Sequence, residues 1–161
     1  MKQFIYTLLF IVIASFMLSS CNEKLVYDQY LHTPIAGWEK NDVLSYDISG
    51  IDESGYYQQD LGLRITSAYP FMNLTLIISS QRYANNKDCQ VNNDTLVCKL
   101  INKNGNTYGQ GISYYQYDFP VSKRYLAKGD SLHIEIRHDM KREIMPGISD
   151  VGIKLSKSSS Y

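Results

Sequence analysis

Apolar residues recur at every second position in short runs bounded by turn residues, and this constrains the fold of the chain more than any other feature. Leu44, Tyr46 and Ile48 alternate with Ser45 and Asp47, Leu61, Leu63 and Ile65 with Gly62 and Arg64, and Leu132, Ile134 and Ile136 with His133, Glu135 and Arg137. Leu74, Leu76 and Ile78 obey the same rule with Ile77 as an apolar exception, and Val151, Ile153 and Leu155 form a last run. A period of two places apolar side chains on one face of a strand, whereas a helix needs spacings of three and four. Further strands are read over Arg82 to Val91, Thr95 to Ile101 and Ile112 to Phe119, with turns at Asn92-Asn93-Asp94 and Lys103-Asn104-Gly105-Asn106. The expected fold is all-β, an antiparallel β-sandwich of about eight strands in a jelly-roll-like arrangement, with strand order left open.

The amino-terminal residues follow a different logic. Lys2 is a positive lead, Phe4 to Leu18 is an apolar run broken only by Thr7 and Ser15, and the small pair Ser19-Ser20 stands directly before Cys21. The run is shorter than the roughly 20 residues a membrane-spanning helix needs. It has the layout of a signal peptide, and Leu18-Ser19-Ser20-Cys21 fits a lipoprotein cleavage site. Residues 1–20 are therefore expected to be removed and Cys21 to carry lipid, since two or three acyl chains hold a protein stably where one would not. Residues 21–33 are read as a lipidated tether, 34–157 as the β-sandwich domain and 158–161 as a disordered tail. Asn22-Glu23-Lys24 lacks the aspartate expected for inner-membrane retention, so the periplasmic face of the outer membrane is the expected location. The balance of 16 basic and 16 acidic side chains implies neither nucleic acid nor an anionic surface as partner.

Beyond the membrane, the residues offer few sites. Cys89 and Cys98 lie nine positions apart in an exported chain, and a tight turn at Asn93-Asp94 would set them opposite each other at disulfide distance, so a bridge is expected. Two thiols without nearby histidines make a poor metal site, and no metal or cofactor is expected. His133 lies on a polar strand face, and His138-Asp139 has no nucleophile motif beside it. Neither a phosphate loop nor a spaced carboxylate pair stands out, so no catalytic residue is named. Trp38, Tyr114, Tyr115 and Tyr117, with the pair Tyr56-Tyr57, are candidates for an aromatic binding surface that stacks on a glycan or peptide. Packing inside the sandwich is the competing explanation, and the exposure of the rings decides between them.

Several short motifs resemble the gliding-motility lipoprotein family called GldH. They are Val26-Tyr27-Asp28-Gln29-Tyr30, Gly37-Trp38, Leu63-Arg64 before Tyr69-Pro70-Phe71, Asp94-Thr95-Leu96, Gly109-Gln110-Gly111, and the ending Pro146-Gly147-Ile148-Ser149-Asp150-Val151-Gly152-Ile153. Tyr108 stands where a tryptophan is expected, and Met140-Lys141-Arg142 where Met-Arg is expected. The resemblance implies a membrane-anchored, non-enzymatic envelope component associated with gliding and the linked protein secretion machinery, with envelope proteins as partners. A glycan- or peptide-binding lipoprotein is the alternative. The resemblance also brings in an Asp-Ser/Thr-aliphatic pattern for O-glycosylation, matched at Thr95 and at Ser131, with Ser131 the preferred acceptor.

Overall fold

The computed structural model describes residues 24–84 and 88–158. Among them the strands pair as one long hairpin, from the outside inwards. The first strand, β1 (Lys24–His32), pairs antiparallel with the last, β10 (Ile148–Lys157). The short β2 (Trp38–Glu39) pairs with β9 (Ile144–Met145), and β3 (Leu44–Ile48) with β8 (Ser131–His138). Within these, β4 (Gly55–Thr66) pairs with β7 (Tyr114–Leu126), and β5 (Asn73–Ala84) with β6 (Asp88–Lys99) at the centre. The hairpin then folds back on itself, because β10 also pairs with β4 and β8 with β5. Two four-stranded sheets result, in the orders β1-β10-β4-β7 and β3-β8-β5-β6. A long antiparallel hairpin wound in this way is a jelly roll, the arrangement preferred from the sequence.

The alternation in the sequence supplies the core. Leu61, Leu63, Ile65, Val151, Ile153 and Leu155 point inward from the first sheet, and Leu74, Leu76, Ile78, Leu132, Ile134 and Ile136 meet them from the second. Register keeps like with like, as Ile153 lies opposite Leu61 and Ile78 opposite Ile136. Much of the tyrosine content is structural too. Tyr46, Tyr57, Tyr69 and Tyr117 are buried, and their hydroxyls donate to the carbonyls of Val151 (2.8 Å), Glu53 (2.6 Å), Asn73 (2.8 Å) and Leu100 (3.0 Å). Each ring thus fills apolar space while its polar end finds a partner.

Three expectations are corrected. Asn92, Asn93 and Asp94 form no turn. They lie inside β6, opposite Ser80, Ser79 and Ile78, and the chain reverses instead between the paired residues Ala84 and Asp88. β6 is an edge strand, where water satisfies polar side chains that would mark a turn elsewhere. Consequently Cys89 lies opposite Tyr83 and Cys98 opposite Leu74. Nine residue steps along an extended strand separate the two cysteines by roughly 30 Å, far beyond bridging distance, and both are free. Of the expected tether, residues 24–32 are not a spacer but β1, hydrogen-bonded along β10. Its polar sequence hid it, because only Tyr27 and Leu31 pack on the core from this half-exposed edge. At the other terminus, Ser158 N–H donates to the Tyr56 carbonyl at 2.9 Å, which attaches the first residue of the expected tail, and residues 159–161 lie outside the described residues.

The cysteines make a direct test of this register. Cys98 is fully buried and its thiol is pushed up to about 12 by burial, whereas Cys89 is exposed. A thiol-reactive maleimide should modify one of these two sites rapidly in the native protein and the other only after unfolding. Peptide mapping that finds Cys89 joined to Cys98 would contradict the continuous β6.

Candidate functional site

The aromatic surface expected from the sequence is mostly interior. Trp38, Tyr57 and Tyr117 are buried, and Tyr115 is half-buried against the core. Tyr114 and Tyr56 are exposed, but at opposite ends of the sandwich, since they start from the two ends of the β4–β7 ladder. The four candidates Trp38, Tyr114, Tyr115 and Tyr117 therefore do not form one stacking platform.

Trp38 instead closes the end of the core where β1 and β8 finish. Its indole N–H donates to the Asp42 carbonyl at 3.0 Å, and its own carbonyl accepts from His138 Nε2 at 3.1 Å. The two rings meet edge to face, with centroids 5.4 Å apart. His138 Nδ1 accepts the Met140 N–H, so the imidazole is held neutral, and burial lowers its pKa accordingly. His133 lies outward on β8 with Asp47 Oδ1 at 2.6 Å and Glu135 at 3.5 Å, and the Asp47 hydrogen bond raises its pKa. Both histidines are thus committed to structural partners. Asp130 is as well: it is buried, and its Oδ2 accepts both Arg82 Nε (2.7 Å) and the Ala127 N–H (2.8 Å). Among the described residues, no group of three or more histidine, cysteine or acidic side chains could hold a metal ion.

The motif segments that are far apart in the sequence meet on the outer face of the first sheet. Tyr30, Gly152, Gly62 and Asp118 form one cross-strand row through β1, β10, β4 and β7. The Tyr30 ring lies flat across the two glycines. A Cβ on Gly152 would come within 2.7–2.8 Å of ring carbons, and one on Gly62 would strike the phenol end. Arg64 stacks on the same ring at 4.3 Å from its centroid and reaches Gln116 Oε1 at 3.3 Å. Two rows along, in the row of Arg64, buried Asp150 accepts the Ser149 hydroxyl at 2.6 Å and lies against His32 Nδ1. Beside these residues opens a groove of about 630 Å³ lined by His32, Ile35, Thr66, Tyr114, Pro146 and Ile148. Ile35 and Tyr114 are exposed on it, and Ile112, Tyr108 and Met72 are further exposed apolar side chains on loops at this same end. Tyr114 apart, the residues of this groove were not picked out from the sequence as a site. The clue lay in motifs at opposite ends of the chain, which only the β1–β10 pairing brings together.

Of the remaining expected sites, Cys21 and the signal peptide lie outside the described residues. Thr95 is exposed in the middle of β6 rather than beside a turn, and Ser131 is half-buried at the start of β8, next to the buried Asp130.

The fold and this surface define an all-β jelly-roll protein whose candidate site is a groove with exposed apolar side chains at one end of the sandwich. Residues 25–155 match the model of the GldH lipoprotein family, and the chain belongs to that family. It is 28% identical over 159 residues to the gliding motility lipoprotein GldH of Flavobacterium johnsoniae, covering 91% of this chain and 94% of that one. It is also 26% identical over 157 residues to a GldH homolog of Christiangramia forsetii, covering 89% and 91%. Among solved structures it is similar to a protein of Sulfurospirillum deleyianum, with a TM-score of 0.47 and 10% identity over 83% of this chain and 99% of that one. The protein is a lipid-anchored lipoprotein of the cell envelope, associated with gliding motility.

Proposed function

We propose that this lipoprotein is a non-catalytic docking component of the gliding machinery and the secretion machinery linked to it, anchored through Cys21 on the periplasmic face of the outer membrane. The family match over nearly the whole sandwich carries this reading. It is supported by how the polar side chains are used: His138, Asp130 and Asp150 are bonded within the fold, while the groove end of the sandwich presents Ile35, Ile112, Tyr108 and Tyr114 to solvent. Exposed apolar side chains clustered in this way suit a protein partner. The glycan-binding alternative is weakened, because Trp38 and Tyr117, two of its stacking rings, are interior.

Cys21→Ala should abolish incorporation of a fatty-acid analogue in cells, because the thiol is the acyl acceptor in this reading. Equal labelling of wild type and variant would contradict it. The wild-type protein should resist external protease in intact cells and be cleaved after permeabilisation, and cleavage in intact cells would overturn the periplasmic orientation. Affinity purification from detergent-solubilised envelope should recover gliding or secretion components with the wild type and fewer of them with an Ile112→Asp, Tyr114→Asp double variant. Unchanged recovery would remove the groove end of the sandwich as the docking face. For O-glycosylation the geometry favours Thr95 over Ser131, since Thr95 points to solvent. The intact mass of protein from its native host tests this, and a mass equal to the lipidated polypeptide alone would end the claim for both residues.

A further inference from the structure

The acceptor cysteine lies three residues before the first residue of β1. Three residue steps span at most about 11 Å. The headgroup layer alone accounts for roughly 5–7 Å of each side of a bilayer. β1 cannot lengthen this link, because it is held by its ladder to β10, and at its first row Lys24 and Lys157 both bind Glu53, at 2.9 and 2.7 Å. This ion-paired clasp ties the start of β1, the end of β10 and the β3–β4 loop together at the anchored end.

Register shows what else lies at that level. The Lys24 row continues through Lys157 and Tyr57 to Arg124, and the next row beyond it, towards the anchored end, pairs Tyr56 with Tyr125. Those two rings are 41% and 50% exposed and meet edge to face at 5.6 Å. At the opposite edge of the same sheet, Leu25 and Val26 are 52% and 38% exposed, beside the bulge between Leu25 and Tyr27. Tyrosine rings with an apolar body and a polar tip are suited to the membrane interface, as are short aliphatic side chains placed beside lysines.

We propose that the protein is seated end-on upon the bilayer that holds its acyl chains, with Tyr56, Tyr125, Leu25 and Val26 in the headgroup region. This rests on the anchoring at Cys21 proposed above. The occupant of this end is the phospholipid surface itself, because no other partner fits within the length of the link. The consequence reaches the other end of the molecule. β1 rises about 26 Å from Lys24 to His32, so the groove at its far end is held at a fixed height above the membrane, open to envelope proteins.

The test uses the acylated protein in phosphatidylethanolamine–phosphatidylglycerol vesicles that carry a nitroxide on the lipid headgroup. Tyr125→Trp and Ile112→Trp place new indoles at the two ends, both at exposed positions, and the native Trp38, buried at the far end, gives the baseline. The Tyr125→Trp signal should be quenched about threefold more strongly than that of Ile112→Trp, since only the former lies within headgroup reach. Intact mass of each preparation reports acylation separately. An acylated chain quenched equally at both sites, or at neither, overturns the seating while leaving the anchor intact. A chain made in its host without acyl groups overturns both.

Discussion

A chain that begins at residue 34 should fail to fold cooperatively, whereas one that begins at residue 24 should melt as a single transition. The difference is β1. Tyr27 and Leu31 pack on the core, and Tyr30 covers the Gly62–Gly152 track, so deleting them uncovers three large side chains' worth of apolar contact. At about 2 kcal/mol for each, the loss approaches 6 kcal/mol. A domain of this size has about 5–15 kcal/mol of net stability. The deletion also leaves the outer edge of β10 unpaired, with Val151, Ile153 and Leu155 no longer covered on that side. Thermal denaturation followed by circular dichroism distinguishes the two chains. If both melted alike, residues 24–33 would be a spacer after all.

Trp38→Ala should be the most damaging single substitution in the core, lowering stability by about 3–5 kcal/mol. The indole is fully buried, and its removal opens the end of the sandwich. It also takes away the ring against which His138 packs and the donor to the Asp42 carbonyl. Collapse into the space is restricted by Gly37, which sits at φ 118° with no room for a side chain, as a Cβ there would lie 2.5 Å from Ile144 Cγ2. Trp38→Phe keeps an aromatic body but leaves the Asp42 carbonyl without its partner, and should cost about 1–3 kcal/mol. Urea titration of the two variants should order them Ala below Phe below wild type. Equal midpoints for Ala and wild type would place Trp38 at the surface instead, and would reopen the aromatic binding surface.

How much of this was legible in the sequence follows from where the information lies. Strands buried on one face announce themselves by alternation, so Leu132, Ile134 and Ile136, or Leu74, Leu76 and Ile78, were readable directly. Edge strands were not. β1 and β6 expose most of their side chains, so water rather than the core selects their residues, and Asp28-Gln29 or Asn92-Asn93-Asp94 look like linker and turn. The misplaced turn then produced the wrong Cys89–Cys98 bridge, since disulfide geometry inherits its register from the hairpin that carries it. Strand order was hidden for a different reason. The pairing of β1 with β10 joins the two ends of the described chain, and no local pattern encodes a contact that distant. The candidate site was hidden with it. Tyr30, Arg64 and Gly152 could be recognised as separate motif residues, but their meeting depends on the β1–β10–β4 register.

Hydrogen–deuterium exchange on the acylated protein tests the β1–β10 register. β1 is an edge strand, so its alternate, ladder-facing amides between Tyr27 and Leu31 should be protected together with those of Val151 to Leu155, and they should lose protection together on mild destabilisation. Exchange of every amide from 24 to 33 at the rate of an unstructured peptide, while Val151 to Leu155 stay protected, would contradict it.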